Sequence, residues 1–271
     1  MRTKVIVTGS FDDLRSRQVR FLEEAAKLGQ VEVLLFSDEA ARTLDGREPK
    51  FPQAERQYFV RALRYVSRVT LVEGTAPQAL LAQGRAIKPD LWVVDESNSF
   101  LFKELGDNLL KIVPEEALKG FPTAATDGAA ASALRRKKVI VSGCYDWLHS
   151  GHVRFFEEVS ALGNLYVVVG SDANVRFLKG GGHPLFAQDE RRYMVQAVRY
   201  VHQALISTGW DWLDYAPQVE EVQPDIFAVN EDGDKPEKRQ FCLEHGIDYV
   251  VLKRTPKEGL PRRESTRLRG F

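Results

Sequence analysis

Two stretches of this chain repeat one another, and the repeat restricts its fold more than any other feature. The segment 4-KVIVTGSFDDLRSRQVRFLEEAAKLG-29 falls on 138-KVIVSGCYDWLHSGHVRFFEEVSALG-163, an offset of 134 residues from Lys4 to Lys138. Ser37-Asp38 falls on Ser171-Asp172 at the same offset. Further on, 55-ERQYFVRALRYV-66 falls on 190-ERRYMVQAVRYV-201 at an offset of 135, the extra residue lying near 180-GGG-182. Pro89-Asp90 then falls on Pro224-Asp225. Dense, collinear matches at a near-constant spacing mark a tandem duplication. The chain reads as two domains, 1–134 and 135–271.

Each copy alternates short apolar runs with amphipathic stretches. In the second, 139-VIVSG reads as a buried strand, and 151-GHVRFFEEVSALG-163 as a helix closed by Gly163. Strands over 165–172, 204–208, 225–230 and 248–252 then alternate with helices over 188–201, 213–223 and 236–246. The pattern predicts an α/β fold: two tandem Rossmann-like domains, each a parallel sheet with helices on both faces. Ligands of such sheets sit beyond the carboxyl ends of the strands, and the loop at Gly143 is such an end. The join, 113-VPEEALKGFPTAATDGAAASALRRKK-138, has the Ala and Gly content of a linker. A preferred alternative pairs Phe121-Pro122 with Leu260-Pro261. Asp127 then caps a short helix, 128-GAAASALRR-136, equivalent to one at 265-STRLRG-270.

Composition excludes several classes. The 38 basic and 38 acidic residues balance, which argues against a broad nucleic-acid-binding face. Cys144 and Cys242 form no metal-type pair and are too few for a disulfide framework, so a reducing, cytoplasmic setting is expected. The apolar run at the start is too short for a secretion signal. No stretch approaches the roughly 20 apolar residues of a membrane span.

The chemistry concentrates in 142-SGCYDWLHSGH-152. His149 and His152 stand three apart where a strand turns into a helix, so they share one face. As metal ligands they would need a third and a fourth, and His183, His202 and His245 show no matching spacing. A phosphate site asks for less. Gly143 lets the chain turn, Gly151 lets backbone approach a ligand, and the helix start offers N–H groups. Two imidazoles there can donate hydrogen bonds to phosphate oxygens as charge develops during nucleotidyl transfer.

With these residues the second copy resembles the HxGH nucleotidyltransferase superfamily, and within it the cytidylyltransferases. The similarity starts at 143-GCYDWLHSGH-152 and runs nearly to the chain end. Lys179 in 176-RFLKGGG-182 fits the family lysine, and Arg191 in 189-DERRYM-194 the arginine opening the next helix. The strand-end stretch 230-NEDGDK-235, with Asn230 and Asp232, stands for the family's G-D-D, from which it departs. Arg254 follows the last strand, and Ser265-Thr266 fits the family's Ser/Thr-rich helix start. The second domain resembles glycerol-3-phosphate cytidylyltransferases. The tandem layout resembles ethanolamine-phosphate cytidylyltransferases, whose degenerate domain is the second.

The resemblance implies transfer of CMP from CTP to a small phosphorylated alcohol, with release of pyrophosphate and with Mg²⁺ carried by the triphosphate. ATP is the alternative nucleotide, acting on a sugar phosphate or related phosphate, because heptose-phosphate adenylyltransferases share the HxGH and a lysine-glycine loop. A non-catalytic nucleotide sensor is a further alternative. His149, His152 and Lys179 are the expected catalytic residues. Gly143, Cys144, Tyr145, Gly151, Arg191, Asn230, Asp232, Ser265 and Thr266 are expected at the nucleotide, and Asp146, Arg254 and Trp210 at the acceptor. No separate metal site is expected.

The first copy serves as a control. Arg15, Arg17 and Gln18 stand where the second has His149, Gly151 and His152, and Asp45 stands for Lys179. Thr126 and Asp127 replace Ser265 and Thr266, while Arg56 keeps the place of Arg191. Residues 1–134 therefore read as a degenerate, inactive domain. Enzymes of this superfamily often pair near the HxGH helix, so an intramolecular pseudo-dimer is expected, or a homodimer.

Overall fold

The computed structural model describes residues 2–74, 77–106, 108–123 and 136–268. The chain divides into two compact units, Met1–Phe121 and Pro122–Phe271. Thr126, Asp127 and the helix expected after them lie outside the described residues.

In the first unit β1 (Lys4–Gly9), α1 (Ser16–Leu28) and β2 (Gln30–Phe36) are followed by α2 (Asp38–Asp45) and α3 (Gln53–Arg61). Then come β3 (Val66–Val72), α4 (Pro77–Ala86), β4 (Leu91–Asp95) and β5 (Leu110–Val113). The second unit runs β6 (Lys138–Gly143), α5 (Ser150–Ser160), β7 (Asn164–Val169), α6 (Asp172–Lys179) and α7 (Gln188–Gln196). It continues with β8 (Val201–Ile206), α8 (Ala216–Val222), β9 (Ile226–Asn230), α9 (Pro236–Glu244), β10 (Asp248–Leu252) and α10 (Ser265–Leu268).

Both sheets are parallel, in the orders β3-β2-β1-β4-β5 and β8-β7-β6-β9-β10. The central strands explain this. Val5, Ile6 and Val7, like Val139, Ile140 and Val141, have no exposure at all, as strands covered on both faces require. Registers also coincide: Lys4 pairs with Gln30 as Lys138 pairs with Asn164. Ile6 pairs with Trp92 as Ile140 pairs with Phe227. A register shift interrupts β2 and β3 at Val31/Glu32, and β7 and β8 at Leu165/Tyr166.

The turn from first helix to second strand demands glycine in both units. A Cβ on Gly29 would sit 2.2 Å from the Thr3 carbonyl oxygen, and one on Gly163 2.1 Å from that of Lys137. One face of the first sheet packs Ile6, Leu34, Trp92 and Val94 together, and one face of the second packs Ile140, Val168, Phe227 and Val229. Fully burying such side chains contributes about 1.5–3 kcal/mol each. In both units the order places the carboxyl ends of the central strands at the crevice where connections diverge to either side.

Candidate active site

Strand β6 ends at Gly143 because nothing larger fits: a Cβ there would lie 2.8 Å from the Tyr145 ring. Tyr145 takes a left-handed φ of 52°, which turns the chain sharply, and its buried ring packs edge-on against His152 at 5.3 Å. Asp146 Oδ1 accepts the backbone N–H groups of Leu185 at 2.7 Å and Phe186 at 3.0 Å. Expected at the acceptor, Asp146 spends that oxygen on holding the 185–186 loop. In the first unit Asp12 does the same for Lys50 and Phe51.

His149 caps α5, and its Nδ1 accepts the Gly151 N–H at 3.1 Å. Burial, with Arg254 and Arg263 adding to it, pushes the imidazolium down to about 3, so the ring is neutral near pH 7. A neutral ring whose Nδ1 accepts must carry its proton on Nε2. That Nε2 is sealed from solvent with no protein partner. The His149 and His152 ring centroids lie 4.0 Å apart, the planes tilted by 31°. Burial, then His149, Arg254 and Lys179, drive His152 well below the usual histidine range. Two neutral imidazoles thus stand face to face in a cationic setting, an arrangement suited to a polyanion.

They open into a cleft of about 200 Å³ at the carboxyl end of the sheet. The cleft gathers Gly143, Cys144, Tyr145, Asp146, His149, Gly151 and His152 from the loop, with Lys179 from the end of α6. Asn230 and Asp232 reach it from the end of β9, Arg254 from beyond β10 and Ser265 from the start of α10. The Arg254 guanidinium donates to the Asp232 carboxylate and, at 2.9 Å, to the Arg263 carbonyl. Ser265 Oγ donates to the Trp147 carbonyl at 3.3 Å. The side chain of Thr266 lies outside the described residues.

Two of the expected residues do not line the cleft. Arg191 staples the main chain around it. Only 1% exposed, it donates to the carbonyls of Phe186 (2.8 Å), Cys144 (2.6 Å) and Gly170 (2.7 Å) and to Asp172 (2.7 Å). Arg56 of the first unit repeats this on Phe51, Ser10 and Asp38. Trp210 does not line the cleft; it is 54% exposed and packs on Phe177 with ring centroids 4.9 Å apart. The sequence reading missed His183, 3.8 Å from Asp146, and Lys238, both on the cleft wall. His183 could have been found beside the glycine run, but Lys238 sits in an unremarkable helix face.

Residues 140–262 match the family described as Cytidylyltransferase-like. The FAD synthase of Ferroglobus placidus (strain DSM 10642 / AEDII12DO) is 34% identical over 125 residues, 45% of this chain and 78% of that protein. The FAD synthase of Aciduliprofundum boonei (strain DSM 19572 / T469) is 35% identical over 119 residues, 43% and 76% of the two chains. The bifunctional protein HldE of Trichlorobacter lovleyi (strain ATCC BAA-1151 / DSM 17278 / SZ) is 37% identical over 97 residues, covering 35% of this chain and 17% of that one. This chain belongs to the cytidylyltransferase-like family.

As a member of that family it is a nucleotidyltransferase. The matched residues lie wholly in the second unit. The first unit holds a different cleft of about 340 Å³ at the equivalent strand ends. There Arg17 stands where the cytidylyltransferase-like cleft has Gly151. Ladder registers align Trp92 with Phe227 and Leu110 with Tyr249, which puts Asp95 on Asn230 and Glu115 on Arg254. The Arg17 guanidinium joins these carboxylates, at 2.9 Å to Asp95 and at 3.0 and 2.6 Å to Glu115. Burial pushes Asp95 up, but hydrogen bonds from Arg17, Ser97 and Asn98 outweigh it and hold the group below the usual carboxylate range. Where the second unit has glycine, asparagine and arginine, the first has arginine, aspartate and glutamate. Among the described residues of the whole chain, no group of three His, Cys, Asp or Glu could hold a metal ion, and no helix is long and apolar enough to cross a membrane.

Proposed function

We propose that the second unit transfers AMP from ATP to a small phosphate-bearing acceptor, releasing pyrophosphate. The carrying observation is the neutral His149, its Nε2 buried without a protein partner, in a cleft it lines with His152, Lys179 and Arg254. CTP, the first choice from sequence, yields to ATP because relatives are named FAD synthase, and FAD contains an adenylyl group. The Asn230-Glu231-Asp232 departure from G-D-D points the same way. FMN and sugar phosphates therefore join phosphorylated alcohols as candidate acceptors.

In this reading an acceptor phosphate oxygen attacks the α-phosphorus, the new P–O bond forms as the bond to pyrophosphate breaks, and no covalent enzyme intermediate arises. His149 and His152 donate to α- and β-phosphate oxygens, and stabilisation grows as charge accumulates on them. Lys179 bridges the acceptor phosphate and the α-phosphate. Arg254 exchanges Asp232 for substrate phosphate, and Ser265 holds the distal phosphates. Asp146 and Asp232 are the cleft carboxylates that could help hold a Mg²⁺ carried by the triphosphate, and the metal would neutralise charge on the phosphates.

The first unit, in the same reading, is a degenerate copy from a tandem duplication, and it completes a pseudo-dimer with the second. A 135–271 fragment that is monomeric, soluble and fully active would refute that role. The activity itself is tested by pyrophosphate release from ATP and CTP across FMN, sugar phosphates and phosphorylated alcohols. ATP should exceed CTP at least about tenfold, and His149→Ala or His152→Ala should lower kcat roughly a hundredfold or more. Nucleotide binding without turnover on any acceptor would favour a sensor.

A further inference from the structure

Lys238 lines the cleft, yet neither the motif nor the transfer chemistry accounts for it. It lies in the first turn of α9 and is 9% exposed. Its Nζ stands 6.0 Å from the ring centroids of both Tyr215 and Phe227, two side chains with no exposure. Among the described residues it makes no hydrogen bond and no ion pair. Asp214 acts on it only at a distance, since that carboxylate is already held by Ser207 and Asn174. Burial pushes the ammonium below the usual lysine range. The positive end of the α9 dipole disfavours a cation there as well. A lysine offers three donors and no acceptor, so it calls for oxygen or another lone pair from a ligand or from water in the cleft.

Its approach to the cleft says which ligand. Tyr215 and Phe227 belong to the apolar cluster built from Ile140, Val219, Phe241 and Cys242, where α8 and α9 cover the sheet. The histidines come instead from the loop and α5, and Ser265 from α10. Phosphate groups engaged by His149, His152 and Ser265 are therefore served from elsewhere in the cleft.

We infer that Lys238 is a recognition residue for the acceptor, taking a ring carbonyl or carboxylate oxygen at the end remote from the acceptor's phosphate. This rests on the adenylyl-transfer reading. It sets a substrate class: acceptors with an electron-rich oxygen at that end are favoured. Aminoalkyl phosphates are rejected, because their ammonium would meet that of Lys238 in a poorly hydrated site.

The full-length protein, Lys238→Met and Lys238→Arg are compared by pyrophosphate release from ATP. The acceptors are FMN, a sugar phosphate, glycerol 3-phosphate and 2-aminoethyl phosphate. Lys238→Met should raise the KM of the preferred acceptor about tenfold or more, the scale of a lost hydrogen bond to a charged group. Its kcat and its KM for ATP should stay within about twofold, and Lys238→Arg should recover part of the loss. An unchanged acceptor KM, a rise confined to the KM for ATP, or a wild-type preference for 2-aminoethyl phosphate overturns the inference. If no acceptor turns over in wild type, the adenylyl-transfer reading fails separately. Lys238 is then judged by equilibrium binding of the same four compounds. Binding by wild type but not by Lys238→Met supports it, and equal or absent binding overturns it.

Discussion

The Gly151 backbone N–H donates to His149 Nδ1 at 3.1 Å, and that one bond decides which ring nitrogen carries the proton. It also explains the glycine. A Cβ at position 151 would lie 2.9 Å from His149 Cε1. Gly151→Ala should push the ring aside and lower kcat about ten- to a hundredfold while the melting temperature moves little. Steady-state kinetics beside a thermal melt checks this; full activity in Gly151→Ala would show that the ring position is not decisive.

Both histidines are held neutral in the folded chain, and this has a pH signature. For His149 the folded value is about 3 against an ordinary 6.5. Between those values the unfolded chain binds a proton that the folded chain does not. Stability is therefore lost as pH falls from about 6.5 towards 3, by a few kcal/mol at most. Urea unfolding from pH 7 to pH 4 should show this slope, and His149→Gln should flatten it. Equal slopes in the two proteins would contradict the burial argument.

Arg191→Met should act on folding before it acts on catalysis. It leaves the carbonyls of Phe186, Cys144 and Gly170 and the carboxylate of Asp172 without their shared donor. A loss of about 3 kcal/mol or more is expected. A variant with an unchanged melt and a raised KM for ATP would restore Arg191 to the nucleotide.

In the first unit, Arg17→Ala should cost about 1–2 kcal/mol at pH 7, because Asp95, only 8% exposed, loses its ion pair and keeps only the hydrogen bonds from Ser97 and Asn98. Asp95 is held below the usual carboxylate range, so its contribution is present above that range and lost as pH falls through it. The gap between wild type and Arg17→Ala should accordingly narrow in acid. A gap that widens below pH 4 would mean that the ion pair is not the source.

Much of the fold could be read from residues because burial is so even. Runs such as 139-VIV-141 and 226-IFAV-229 are apolar throughout, as strands covered on both faces must be. The glycine and histidine loop was legible for a similar reason, since few residue types tolerate those positions. The staple made by Arg191 was not legible, because a charged residue at a family position carries no mark of what surrounds it. The Arg17, Asp95 and Glu115 exchange was half visible. Pairing Phe121-Pro122 with Leu260-Pro261 already sets Glu115 on Arg254. What the sequence withheld was that one guanidinium spans both carboxylates, a contact between residues 78 and 98 positions apart. Lys238 was invisible, because a lone lysine in a first helical turn usually points to solvent.

The arginine staple has a consequence for how such a protein can change. Arg56 and Arg191 hold their loops chiefly by main-chain oxygens, and every residue type supplies one of those. Side chains along the held loop can therefore be traded without loosening its anchor. The scaffold is indifferent to the message written on it, so a lineage can erase, invert or rewrite a cleft one substitution at a time while the unit still folds.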